Sequence, residues 1–238
     1  MTGILRTYLA AWLLAAALPC LAVEELGFAP LGAEQRVPYI LDSVSATPRY
    51  VLILFPGGNG IVDPHMEGRR LVYQMRGNFL LRVREFWVDQ EFATVTTNST
   101  QQEERVQALL DALARRFPGA AIYLLGTSRG TFDTMRLAGY LSSRIAGVIH
   151  TSSLSGIASF DGRQYANRQL LVHHRDDNCK ATPFSAAQHA HDSYGTELIA
   201  MEGGISEGDL CGAFAHHGYN GIEQQTVEAI KAWIKRGG

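Results

Sequence analysis

The stretch AIYLLGTSRGT, Ala121 to Thr131, sets a short apolar run against a serine flanked by glycines. Ile122 to Leu125 reads as a buried strand. A helical pattern with apolar Met135, Leu137, Ala138 and Leu141 begins directly after Gly130. Between them lies Gly126-Thr127-Ser128-Arg129-Gly130, a G-x-S-x-G motif in the strand, turn, helix context that gives it meaning. Glycine on either side of the serine removes Cβ atoms that would crowd such a turn. The Ser128 hydroxyl then stands at the tip, beside the free N–H groups of a helix N-terminus. A serine so placed is a candidate nucleophile once a base lies near it. Alone, the motif also fits a glycine-rich turn with a solvated serine, so the flanking chain has to decide.

Upstream, Tyr50 to Phe55 (YVLILF) is a continuous apolar run and reads as a central strand. It enters Pro56-Gly57-Gly58-Asn59-Gly60, a loop whose backbone N–H groups can approach a ligand closely. Phe92 to Thr97 is a further strand. Thr100 to Glu103 fits a capping box opening a helix, with Val106, Leu109, Leu110, Leu113 and Phe117 on one face. Arg36 to Leu41 is expected as an edge strand, because Pro38 cannot donate to a ladder. Val23 to Glu34 reads as an arm leading into the domain. Downstream, Ala146 to Thr151, Gln169 to His174 and Glu197 to Met201 read as strands. Pro183 falls in the first turn of a helix reaching Tyr194. A glycine-rich loop, Gly203 to Gly221, precedes a last helix carrying apolar Ile222, Val227, Ile230, Trp233 and Ile234. Strands alternating with helices predict an α/β fold, a mostly parallel sheet with helices on both faces in one domain.

The 238 residues are 46% hydrophobic, enough for one sizeable core. Formal net charge is −2 and no basic block occurs, which argues against nucleic acid as a partner. Arg6 precedes an apolar run, Tyr8 to Leu18, too short to span a bilayer comfortably. Pro19 ends it, and Cys20-Leu21-Ala22 offers the small residues a signal peptidase reads. Residues 1–22 are therefore expected to be a signal peptide, leaving a domain from 23 to 238 that is secreted or periplasmic, without stable membrane insertion. Pro19 directly before Cys20 argues against a lipid anchor. Two cysteines then remain, Cys179 and Cys211, and in an exported chain they are expected to pair.

In a parallel sheet, ligands bind beyond the carboxyl ends of the strands. Gly57 and Gly58, Ser128, Asp176 and Asp177, and His216 and His217 all follow strands there, with the polar groups in the order Ser, Asp, His. From Arg36 to Ile234 the chain resembles the α/β-hydrolases, in the capless, single-domain, esterase-like branch. The resemblance implies Ser128 as nucleophile. The family commonly ends its acid strand as His-Gly-x-x-Asp; His173 to Asp177 fits with His174 in place of glycine, implying Asp177 as the acid and Asp176 as the alternative. His217-Gly218-Tyr219 fits the family histidine, with His216 as the alternative. The backbone N–H groups of Arg129 and Gly58 are the implied oxyanion donors. The interval between Ser128 and Asp177 leaves no room for an inserted lid. A Cys179–Cys211 bridge would tie the acid loop to the histidine loop.

The implied activity is hydrolysis of carboxylic esters, small or polymeric, through an acyl-enzyme and with no cofactor. An acyltransferase, thioesterase or peptidase would use the same triad, and a non-catalytic binding module could use the same fold. His173-His174 and His216-His217 with Asp176 and Asp177 could supply metal ligands. Neighbours on a strand point to opposite faces, however, so one of His173 and His174 is expected to pack under the site. No H-E-x-x-H or C-x-x-C occurs, and no metal is expected. His65, His150, His189 and His191 read as structural or surface residues. Arg129 is expected to pair with a nearby acid or to favour substrates with an anionic or carbonyl-rich end. Loops Asn59 to Gly77 and Ser152 to Tyr165 are expected as pocket walls, with Arg69, Arg70, Tyr73, Phe79, Phe86 and Trp87 as candidate lining.

Overall fold

Tyr50 to Phe55 is buried at every position, and its side chains pass alternately to two separate cores. Val51, Ile53 and Phe55 enter one; Tyr50, Leu52 and Leu54 enter the other. That is the pattern of a strand covered on both faces, and it explains why the run carries no polar residue. The structure is a computed structural model that describes residues 23–237. The signal peptide expected over residues 1–22 lies outside the described residues.

The described strands are β1 (Val23–Leu31), β2 (Gln35–Ser43), β3 (Tyr50–Phe55), β4 (His65–Glu67), β5 (Arg70–Val72), β6 (Phe92–Thr96), β7 (Ala121–Thr127), β8 (Gly147–Thr151), β9 (Arg168–His174) and β10 (Glu197–Met201). The α-helices are α1 (Phe79–Arg82), α2 (Arg84–Trp87), α3 (Glu103–Arg116), α4 (Gly130–Tyr140), α5 (Phe184–Tyr194) and α6 (Glu223–Lys235). Eight strands form one sheet in the order β1-β2-β6-β3-β7-β8-β9-β10, and β4 and β5 form a separate hairpin. From β6 to β10 every neighbouring pair is parallel; β1 and β2 join antiparallel. Helices α3, α4 and α5 cover one face, and α1, α2 and α6 the other. On α6, Val227, Ile230, Trp233 and Ile234 recur at helical spacing and are fully buried. No helix among the described residues is long and apolar enough to cross a membrane.

Four local expectations need correction. The arm from Val23 is strand β1, paired with β2 through nine residue positions. β2 is therefore interior rather than an edge. Pro38 is tolerated because pairing with β6 starts only at Ile40, and the Pro38 carbonyl accepts from Thr97 Oγ1 at 2.9 Å. The capping box does not form: Gln102 caps α3 without a side-chain bond, and Thr100 Oγ1 accepts from the Gln102 N–H. Pro183 occupies the N-cap of α5, one residue before its first turn. The β4–β5 hairpin and the two four-residue helices between β3 and β6 were not expected from the sequence.

Candidate active site

β7 and α4 meet at Ser128, which has φ 53°, a left-handed conformation uncommon outside glycine. The bend is held from both sides. The Ser128 N–H donates to the Thr151 carbonyl at 2.9 Å, and the Ser128 carbonyl accepts from Thr131 N–H and Oγ1. Glycine is required nearby because backbones nearly touch: a Cβ on Gly130 would lie 2.2 Å from the Phe55 carbonyl oxygen. Gly57 is equally confined, since its Cβ would lie 2.8 Å from Ser128 Cβ. The glycine loop after β3 is thus pressed against the serine turn.

Asp177 follows β9, and 7% of its surface is exposed. Its N–H donates to the His174 carbonyl at 3.2 Å, which turns the side chain inward. Oδ1 accepts from the Cys179 N–H at 3.0 Å. Oδ2 meets His217 Nδ1 and Thr182 Oγ1, each at 3.0 Å, and His173 Nε2 at 3.3 Å. Burial alone would raise this carboxyl's pKa. Hydrogen bonds from His173, His217 and the Cys179 N–H overcome it and hold the carboxyl well below the usual carboxylate range. A carboxylate acceptor fixes the His217 proton on Nδ1 and leaves Nε2 free as a base.

The histidine loop is anchored through its own backbone. Ser152 Oγ donates to the His217 carbonyl at 2.7 Å. Tyr219, at φ 58°, donates through its hydroxyl to the Val172 carbonyl and accepts from the Ser152 N–H. The disulfide Cys179–Cys211 joins the Asp177 and His217 loops, across a sequence separation of 32. His173, fully buried, packs under the site as one of the two strand histidines was expected to; its Nε2 lies 2.9 Å from the Thr182 carbonyl.

Ser128 and His217 line one cavity of about 320 Å³, walled by Met75, Phe79, Ala213 and Gly218. Gly58 also lines it, and among the described residues neither its N–H nor that of Arg129, the residue after Ser128, donates to another backbone group. Arg129 is exposed, and its guanidinium reaches the Gly58 carbonyl at 3.5 Å rather than a carboxylate. Asp176 and His216 lie outside this arrangement. Of the expected lining residues only Phe79 reaches the cavity. Trp87 is in the core, Phe86 packs against it, Tyr73 lies under Arg84, and Arg69 and Arg70 belong to the exposed hairpin region. The Asn59 to Gly77 loop contributes Met75 and Gly77, whereas no described residue of Ser152 to Tyr165 lines the cavity. His150 is a structural residue, bonded to Thr134 and Gln169, and burial pushes its pKa down to about 4.

Two groups of metal-ligating side chains come together here. In the first, Cys179 is consumed by the disulfide, leaving Asp177 and His217. In the second, His174, Asp176 and His216, both His174 nitrogens are already used. Nε2 donates to the Gly203 carbonyl and Nδ1 accepts from the Asp176 N–H. Thr182 is the member of the site with no signal in the sequence, because a lone threonine in a loop belongs to no motif.

No family model matches the sequence, and no curated protein does. Solved structures do match. Est1E from Butyrivibrio proteoclasticus is 16% identical with a TM-score of 0.61, over 89% of this chain and 98% of that one. A dienelactone hydrolase from Anabaena variabilis is 12% identical with a TM-score of 0.61, over 91% and 98%. An α/β serine hydrolase without lid from Xanthomonas campestris is 12% identical with a TM-score of 0.57, over 90% and 97%. With its sheet order, its serine turn between strand and helix, and these neighbours, the chain has the α/β-hydrolase fold, in the form without a lid.

Proposed function

We propose that the protein is a serine hydrolase of carboxylic esters. The observation that carries this is the Asp177–His217 hydrogen bond at 3.0 Å, with His217 opening onto the cavity that also holds the Ser128 turn. In this reading His217 Nε2 takes the proton of Ser128 Oγ as the oxygen attacks the ester carbonyl. The Arg129 and Gly58 N–H groups hold the developing oxyanion. The protonated imidazole, stabilised by Asp177, gives its proton to the departing alcohol, and the acyl group stays on Ser128. Water, deprotonated by the same histidine, then releases the acid and restores the serine. Esterases among the structural neighbours support an ester as substrate. The disulfide favours an oxidising compartment, in line with an exported protein of residues 23–238.

A fluorophosphonate probe followed by peptide mapping tests this. The expected result is one adduct, on Ser128, abolished in His217→Gln. Absence of any adduct on Ser128 in the folded, oxidised protein would refute the reading and favour a binding module on this fold.

A further inference from the structure

Among the described residues, Asp63, Met75, Ser128, Ser152 and Tyr219 hold a left-handed backbone without being glycine. Ser128, Ser152 and Tyr219 belong to the site already described. Met75, at φ 61°, has no short polar side chain of the kind that tolerates this conformation. Glycine would take it at no steric cost. Such an outlier persists only where its surroundings fix it, and outliers of this kind gather at functional sites.

The chain around Met75 is fixed on both sides. The Gln74 N–H donates to the Val62 carbonyl at 2.7 Å, and the Asn78 N–H donates to the Met75 carbonyl at 2.8 Å. Tyr73 Oη accepts from the buried Arg84 guanidinium at 2.7 Å, and Arg82 donates to the Gly77 carbonyl at 2.8 Å. The side chain so placed meets the glycine loop. Met75 Cε lies 3.1 Å from where a Cβ on Gly58 would stand, and both residues line the Ser128 cavity. Gly58 is itself left-handed, at φ 60°, and has no side chain to pack. The short bonds of its loop fall on its neighbours: the Gly60 N–H donates to the Gly57 carbonyl at 3.0 Å, and Ser99 Oγ to the Pro56 carbonyl at 2.6 Å. The bond to Gly58 itself, from the Arg129 guanidinium to its carbonyl, is long at 3.5 Å. A donor aimed at a developing oxyanion weakens steeply once its angle drifts.

We propose that Met75 is a positioning residue for the oxyanion hole: its thioether rests on Gly58 and keeps that N–H aimed at the carbonyl oxygen of the bound ester. The proposal rests on the ester-hydrolase reading above. The test compares Met75→Ala and Met75→Gly with wild type on p-nitrophenyl butyrate. Both variants should lower kcat about tenfold with KM changed less than about threefold; loss of a whole oxyanion donor costs about 10²- to 10³-fold. Butylboronic acid gives a second readout, because its boron takes Ser128 Oγ as a fourth ligand while the serine proton passes to His217. Its inhibition should weaken by about the same factor as kcat/KM. Thermal unfolding separates strain from positioning. Met75→Gly should melt about 2–4 °C above Met75→Ala and still share its loss of kcat. A raised KM with wild-type kcat would overturn the proposal and leave Met75 as a wall of the cavity. A kcat that follows the melting temperature, low in Met75→Ala and restored in Met75→Gly, would overturn it in favour of a stability effect. Wild-type protein that does not turn over the ester would overturn the hydrolase reading and this one together.

Discussion

Two aspartate–histidine pairs, Asp177 with His217 and Asp176 with His216, come from the same two loops and differ by one residue at each end. Asp177 and His217 are each 7% exposed, and carboxylate meets imidazole at 3.0 Å. Asp176 is exposed, and it is its backbone carbonyl that His216 Nδ1 meets, at 3.2 Å. The His216 ring stacks on His174, with centroids 4.3 Å apart, instead of lining the Ser128 cavity. Both histidines hold their Nδ1 proton, yet only one has an anion behind it. A carboxylate stabilises the imidazolium that forms during proton transfer; a neutral carbonyl does so far less. The inward turn of Asp177, with the Cys179 N–H gripping Oδ1, separates the two pairs. Nearness in sequence and even in space is therefore a poor guide to which histidine has a carboxylate behind it.

The widest gap is expected at the histidines. His217→Gln should lower kcat by about 10⁵-fold or more, whereas His216→Gln should stay within about threefold. Equal losses would show that the outer histidine shares the chemistry. Asp177→Asn should cost about 10³- to 10⁴-fold in kcat, against less than about threefold for Asp176→Asn. Both comparisons use the oxidised protein with a p-nitrophenyl ester.

The inner pair also carries the cross-link, so reduction should reach it first. Opening Cys179–Cys211 is expected to lower stability by about 2–4 kcal/mol, read by urea unfolding. Activity should fall at urea concentrations where the oxidised protein is still fully active. An unchanged unfolding midpoint would mean that the two loops are held without the bridge. A smaller effect follows from pH. The Asp177 carboxyl is held below its unfolded value, so its contribution to stability is fully present above about pH 5 and shrinks as pH falls below about 4. The stability advantage of wild type over Asp177→Asn should narrow between pH 6 and pH 3.

The same contrast marks what the sequence made legible. β3 and β7 stood out because burial on both faces forces an unbroken apolar run. The serine turn stood out because backbone crowding admits only glycine at Gly130. β1 did not stand out: Glu24, Glu25 and Pro30 break its pattern, and as the outer strand it needs less burial. The hairpin and the four-residue helices before β6 are too short to show a period. Ser128 was named from its motif, and Asp177 and His217 from the resemblance to the α/β-hydrolases, with Asp176 and His216 as the alternatives. The network around them was not. Thr182, Ser152 and Tyr219 act through hydrogen bonds across 35 to 67 residues of chain, which no local pattern records.

The most direct measurement is hydrolysis of p-nitrophenyl butyrate by the oxidised protein beside its Ser128→Ala variant. Turnover by the wild type and a loss of about 10⁴-fold or more in the variant is the expected result. Equal rates in the two proteins would contradict a catalytic Ser128 and, with it, the ester-hydrolase function.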